Sequence, residues 1–177
     1  DEFYEHYERE SLLPATIARC RETHDAITRS MAPAARGKSL DVVDIGCGPG
    51  SHSMLWAQGG HRVRGIDVSQ RLIDLAKRRA AEKGVEVTFV VGTATSLPWH
   101  DGSADVCILP ELLEHVAQWR QCLNEAARLV RPGGVLFLST TNYLCPSQQE
   151  FSLPIYSWYP RPLKRYFERL AVTSRPG

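Results

Sequence analysis

Val42-Val43-Asp44-Ile45-Gly46-Cys47-Gly48-Pro49-Gly50-Ser51 is the stretch on which the fold of this chain turns. Its β-branched first half predicts a strand from Asp41 to Ile45. Its second half sets glycines at alternate positions, and Met54, Leu55 and Trp56 then open a helical pattern. A strand that feeds such a loop and then a helix offers bare backbone at the strand end, where the missing Cβ lets a ligand come close. The competing reading is a structural turn with no ligand. Ser51 stands where a dinucleotide fingerprint carries its third glycine, which counts against a nicotinamide cofactor.

Outward from the loop, strands and helices alternate. His61 to Ile66 reads as a second strand ending at Asp67, and Ser69 is a candidate N-cap for a helix through Leu72, Ile73, Leu75 and Ala76 that stops near Gly84. Val85 to Val91 predicts a third strand, Val106 to Leu109 a fourth, and Leu112 to Val130 a helical region. A fifth strand, Val135 to Ser139, is expected after a Pro132-Gly133-Gly134 turn. Before the first strand, Leu13, Ile17, Cys20 and Ile27 recur at helical spacing, predicting a helix from about Leu12 to Ala35. This alternation implies an α/β fold with a parallel sheet covered on both faces. Asp67 lies about twenty residues beyond the first glycine, where a strand-end carboxylate can accept from both hydroxyls of a ribose; otherwise it is a solvated acid or an N-cap.

With 177 residues the chain is expected to form a single domain, made of a helical segment over 1–40, a ligand-binding core over 41–140 and a cap over 141–177. Basic and acidic side chains number 21 and 20, leaving a net charge of +1, so no overall field draws the protein to nucleic acid. Cys20, Cys47, Cys107, Cys122 and Cys145 are odd in number and scattered, which argues against a zinc site or a disulfide framework and fits reduced thiols in a cytoplasm. No apolar run is long enough to span a bilayer and no basic-then-apolar leader precedes the first helix, so a cytoplasmic protein is expected. After Thr140, Pro146, Pro154, Pro160 and Pro162 mingle with Phe151, Tyr156, Trp158 and Tyr159, and Leu163 to Leu170 is basic and amphipathic. Such a segment suits a packed cap, a lid over an aromatic substrate or a contact with a membrane surface.

Three segments together, Val42 to Gly50, Gly65-Ile66-Asp67-Val68-Ser69 and Leu129-Val130-Arg131-Pro132-Gly133-Gly134, resemble the class I S-adenosylmethionine-dependent methyltransferases, and the likeness runs from about Asp41 to Thr140. It implies a Rossmann-like three-layer α/β/α methyltransferase fold, S-adenosyl-L-methionine as cofactor and a small-molecule methyl acceptor. By the same resemblance Gly46, Cys47, Gly48 and Gly50 lie along the methionine part of the cofactor. Asp44 steadies the loop and reaches the cofactor's amino group, Asp67 holds the ribose, and Val68 and Leu109 line the site. The family's adenine-reading acid falls where this chain has Gly92-Thr93-Ala94, so the Thr93 hydroxyl or the backbone at Thr93 and Ala94 takes that place. His52 reads either as a polar residue of a first helical turn or as a contact to the cofactor carboxylate.

Pro110-Glu111-Leu112-Leu113-Glu114-His115-Val116 follows the fourth strand at the sheet edge where such folds bind ligands. A helix beginning at Glu111 places Glu111, Glu114 and His115 on one face. The set could make His115 a general base beside two carboxylates, could hold a divalent cation, or could be a polar helix start favoured by the dipole. It is similar to the Glu-x-x-Glu-His of ubiquinone-biosynthesis O-methyltransferases, where these positions are associated with a metal. That likeness favours an oxygen nucleophile, with a catalytic metal as the lesser reading. The family's seven-strand sheet ends in an antiparallel pair that residues beyond Thr140 do not obviously supply, so either the chain is incomplete or its cap replaces part of the sheet.

Overall fold

Side chains of a strand alternate between the two faces of a sheet, and β1 (Asp41–Ile45) uses both: Val42, Val43, Asp44 and Ile45 are all buried. The computed structural model describes residues 8–31 and 37–140. In chain order these form α1 (Pro14–Ser30), β1, α2 (Ser51–Gln58), β2 (Arg62–Asp67), α3 (Gln70–Glu82), β3 (Val87–Val91), β4 (Ala104–Pro110), a 3-10 turn at Leu113–His115, α4 (Trp119–Leu129) and β5 (Val130–Ser139). The sheet has the order β3-β2-β1-β4-β5 and every neighbouring pair is parallel. From β1 the chain runs outward first to β2 and β3, then returns to place β4 on the other side. The resulting reversal of strand order leaves a crevice at the carboxyl ends of β1 and β4.

Two apolar layers sandwich the sheet, as the α/β/α reading requires. Val42, Val106 and Ile108 pack with Ile27 of α1 and Trp56 of α2 on one face. Val43, Ile45, Cys107 and Leu109 meet Cys122, Ala126 and Leu129 of α4 on the other. A third cluster, Met54, Ile73, Ala76 and Phe89, joins α2 and α3 to β3. Among the described residues no helix is long and apolar enough to cross a membrane.

Element ends differ from the sequence expectation for local reasons. α1 starts at Pro14, whose ring is preorganised for a first helical position and forces Leu13 into extended backbone. It ends at Ser30, short of the expected Ala35, because Met31 turns to extended backbone; residues 32–36 lie outside the described residues. β3 begins at Val87 and not at Val85, because α3 ends in a left-handed Gly84 and the Val85 N–H is used to close the helix on the Ala80 carbonyl. Pro132-Gly133-Gly134 is no turn before a strand but a bulge inside one: Val130 pairs with Ala104, while Val135 already pairs with Val106. A Cβ on Gly134 would lie 2.7 Å from the Asp105 carbonyl oxygen, so the bulge needs glycine there. The proline and aromatic-rich stretch from Tyr143 to Leu170, read as a cap, lies outside the described residues.

Candidate functional site

The glycine loop leaves β1 through left-handed backbone at Gly46, Gly48 and Gly50, with φ of 74°, 50° and 82°. Each glycine answers a different demand. A side chain on Gly46 would crowd Leu112 Cδ1 at 2.7 Å, and one on Gly50 would crowd Phe89 Cζ at 2.9 Å, which adds to the left-handed backbone that favours glycine at both. A Cβ on Gly48 would meet nothing within 4 Å, so this glycine faces open space. The loop is tied down by Gly46 and Cys47 N–H donating to the Ile66 carbonyl at 2.8 and 3.0 Å, and by Gly50 N–H donating to the Cys47 carbonyl.

Asp67 ends β2 and acts as a latch. Its Oδ2 accepts from Gly48 N–H at 2.9 Å and its Oδ1 from Ser69 N–H at 2.9 Å, so both oxygens are aimed by backbone. An ionised carboxylate has about four lone-pair sites, and two remain for a ligand. Ser69 caps α3 as its position foretold, accepting from Leu72 N–H at 3.3 Å. The chain ahead of α1 is tied to α3 and to the start of α2: buried Arg79 of α3 donates to Ser11 Oγ at 2.7 Å and to the Glu8 carbonyl at 2.9 Å, and Ser51 Oγ of α2 donates to the Ser11 carbonyl at 3.4 Å.

Beneath the loop sits Asp44, 1% exposed, with Oδ2 accepting from Ser53 Oγ at 2.6 Å and Oδ1 buried without a partner. Burial, with Asp67 adding to it, pushes its carboxyl up to about 7. Burial and then Asp44 push the Cys20 thiol up to about 11, and the same two causes with Asp67 push the Cys47 thiol up further. These thiols are therefore packing groups, not nucleophiles. Ser53, a residue the sequence reading passed over, holds the carboxylate; a hydroxyl in the first turn of a helix carries too little local signal to reveal this.

His52 is half-buried with an enclosed, unpartnered Nδ1, and burial followed by the Arg19 charge lowers it to about 4. Its folded pKa lies below that of the unfolded chain, so its contribution to stability is full above the unfolded value and is lost as pH falls through about 6.5 towards about 4. His52→Leu removes that proton uptake. Between about pH 7 and about pH 5 the parent protein is expected to lose roughly 2 kcal/mol more than the variant. Urea unfolding of both proteins at the two pH values measures the difference; parallel losses would mean that His52 titrates normally.

Beside Asp67, the Gly92 N–H donates to the Asp67 carbonyl at 3.0 Å and carries the chain from β3 into the exposed Thr93 and the buried Ala94. Val68, the residue after β2, is 73% exposed, an apolar side chain in solvent. Leu109, by contrast, is fully buried in the same cluster as Val43, Ile45 and Ile66, so the structure puts it in the core behind the crevice and not at its surface.

The expected helix from Glu111 does not form. Glu111 has a left-handed φ of 49°, its N–H donates to the Ser139 carbonyl at 3.0 Å, and only the 3-10 turn at Leu113–His115 follows before α4 begins at Trp119. The apolar side chains decide this path: Leu112 drops over Gly46, while Leu112, Leu113 and Val116 pack on the α4 side of the core. Glu111, Glu114 and His115 are left exposed beside the crevice, off a common helical face, and Glu114 accepts from Thr140 Oγ1 at 2.9 Å. Among the described residues no group of three or more His, Cys, Asp or Glu side chains could hold a metal ion.

Known proteins share this framework. The family described as "Methyltransferase domain" matches residues 43–138, just over half of the chain. The ubiquinone biosynthesis O-methyltransferase of Caulobacter vibrioides is 37% identical over 131 residues, covering 73% of this chain and 52% of that protein. The chain thus spans about half the length, or less, of the curated relatives it matches. Among solved structures, the PH0226 protein of Pyrococcus horikoshii OT3 superposes with a TM-score of 0.68 at 24% identity, over 78% of this chain and 65% of that one. A SAM-dependent methyltransferase of Methanosarcina mazei gives a TM-score of 0.54 at 30% identity, over 61% and 57%.

Proposed function

The chain belongs to the class I S-adenosylmethionine-dependent methyltransferases, and from that premise we propose that it binds S-adenosyl-L-methionine across the carboxyl ends of β1, β2 and β3 and serves methyl transfer to a small-molecule acceptor, an oxygen first among the candidate nucleophiles. The observation that carries this reading is the pairing of Asp44 with Asp67: a buried carboxylate oxygen without a partner lies under the loop, and a carboxylate aimed by two backbone amides lies beside it. An unpartnered buried acceptor is costly, and a ligand ammonium would satisfy it.

The roles divide along the sheet edge. The backbone of Gly46, Cys47, Gly48 and Gly50 flanks the amino-acid end of the ligand, Gly48 leaving the room a Cβ would take. Asp44 Oδ1 receives the ammonium and Asp67 the ribose hydroxyls. Val68 offers apolar surface to the base, Thr93 and Ala94 lie at its edge, and the fully buried Leu109 supports the crevice from behind in β4. The cofactor supplies an electrophilic methyl group on a sulfonium. The protein's part is to align an acceptor opposite it and to remove the acceptor's proton, an in-line displacement that rests on positioning and general-base catalysis. His115 is the base we assign, with Glu111 and Glu114 beside the same opening. No step is assigned to a divalent metal, because the donors needed for one are not gathered among the described residues.

Calorimetric titration with S-adenosylmethionine, S-adenosylhomocysteine and NADH tests the reading. Both adenosyl ligands should bind and NADH should give no heat, after which a screen of hydroxylated acceptors follows the methyl group. Binding of NADH in preference would point to a dehydrogenase, and binding of the adenosyl ligands with no turnover on any acceptor would point to a cofactor-binding module.

A further inference from the structure

Thr93 lies where a nucleoside held at Asp67 must end. The strand order places β1 on one side of β2 and β3 on the other, so a ligand that begins at the β1 loop and passes its sugar to Asp67 is carried towards the exit of β3. That exit is close, because the Gly92 N–H is bonded to Asp67's own carbonyl, and a Cβ on Gly92 would stand 2.8 Å from Ile66 Cδ1. Polar side chains there include Thr93, exposed, and Thr95, half-buried, with Ser96 next in the chain, the Gln121 side chain donating to the Thr95 carbonyl at 3.0 Å, and the apolar Val68 exposed after β2.

The two threonines form a reversible pair. Thr93 Oγ1 lies 2.8 Å from Thr95 Oγ1 with either oxygen able to donate, and it also accepts from Thr95 N–H at 3.3 Å. A carboxylate accepts only, so it favours a base edge that bears an amine and penalises one that bears a carbonyl. A hydroxyl has one proton to give and lone pairs to receive. If Thr93 gives its proton to Thr95, its free lone pair can take a base N–H. If Thr95 gives its proton to Thr93, the Thr93 O–H is free to meet a base carbonyl. Neither arrangement leaves a buried group unpaired, and that penalty is what makes a polar site selective.

We propose that the Thr93–Thr95 hydroxyl pair makes the base end of the site indifferent to a 6-amino or a 6-oxo purine, so that the protein accepts inosyl as well as adenosyl forms of its ligand. This inference rests on the proposed cofactor reading and adds to it a nucleobase selectivity set by one side chain.

The test is calorimetric titration of the intact protein with S-adenosylhomocysteine and S-inosylhomocysteine, repeated on Thr93→Asp and Thr93→Val. The parent protein should bind the two ligands with dissociation constants within about threefold of each other. Thr93→Asp should favour the adenosyl ligand by about tenfold or more (about 1.4 kcal/mol). Thr93→Val should weaken both ligands by a similar factor without separating them. A parent protein that prefers the adenosyl ligand by more than about tenfold overturns the proposal, since the backbone would then be reading the amine. So does a Thr93→Asp protein with an unchanged ratio, since the base would then lie elsewhere. Should S-adenosylhomocysteine fail to bind the parent at all, the cofactor reading itself falls, a result distinct from loss of selectivity.

Discussion

Asp67→Ala is expected to weaken S-adenosylhomocysteine binding roughly a hundredfold, about 2.7 kcal/mol, while leaving the fold intact. Two losses combine. The variant no longer presents an anionic acceptor to the ribose hydroxyls, and hydrogen bonds to charged groups contribute roughly 1.5–3 kcal/mol each. It also frees Gly48 N–H and Ser69 N–H, which the two carboxylate oxygens now hold at 2.9 Å, so the loop must be ordered at the ligand's expense. Asp67→Asn separates the contributions: it keeps one acceptor oxygen and the volume, and should lose about tenfold. Titration calorimetry reads the affinities and circular dichroism the fold. An alanine variant that binds within about threefold of the parent would reduce Asp67 to a structural latch.

Asp44→Asn is expected to act in opposite directions on stability and on binding. The carboxyl is buried and pushed up to about 7 from an ordinary value of 3.8, so the folded chain holds its proton to higher pH than the unfolded chain does. A raised folded pKa means that stability is fully present below the unfolded value and is lost as pH rises through the folded one. Between about pH 5 and about pH 8 the parent should therefore lose roughly 3 kcal/mol that the asparagine variant keeps. Cys20 from α1, Cys47 and Ser53 from the loop and α2, and Asp67 from β2 face this carboxyl and act on the same equilibrium. Urea midpoints of both proteins at the two pH values give the comparison. In the same variant an amide replaces the acceptor assigned to the ligand ammonium, so S-adenosylhomocysteine affinity should fall by about tenfold or more. A variant with unchanged affinity would remove Asp44 from the ligand site and leave it a buried loop support.

The acid-side loss expected from His52 runs the other way, since that ring is neutral when folded and takes up a proton on unfolding. Asp44 and His52 thus oppose each other across the same pH range, and the parent alone will show a flatter profile than either variant. The single substitutions are needed to see the two slopes.

Much of this protein is legible from its sequence because the signals are local. A β-branched run into alternating glycines can hardly be anything but strand and loop, and β1 and the carboxylate at the end of β2 fall where periodicity and spacing put them. Ser69 caps α3 because a serine ahead of an apolar-periodic run satisfies an orphan amide whatever surrounds it. The left-handed turns at Gly46, Gly48 and Gly50 follow from the one residue type that enters that region without strain.

What periodicity could not decide was set by contacts between segments far apart in the chain. Glu111 to His115 has helical spacing, yet Leu112 is drawn onto Gly46 and Leu113 into the core, and the hydrophobic gain from those contacts outweighs one weak turn of helix. The bulge at Pro132 to Gly134 exists because β5 must keep register with β4 on both sides of it. That Asp44 is a buried carboxyl with one oxygen tied to Ser53, and that Asp67 spends two of its lone pairs on the loop, are facts of burial and distance. The sequence by itself determined the α/β alternation, the glycine loop and the position of Asp67, since each depends on neighbours in the chain. Only the tertiary structure decided which carboxylate is buried, which is latched and which acids stay in solvent, because dielectric and hydrogen-bond partners are properties of the packed molecule and not of the residue.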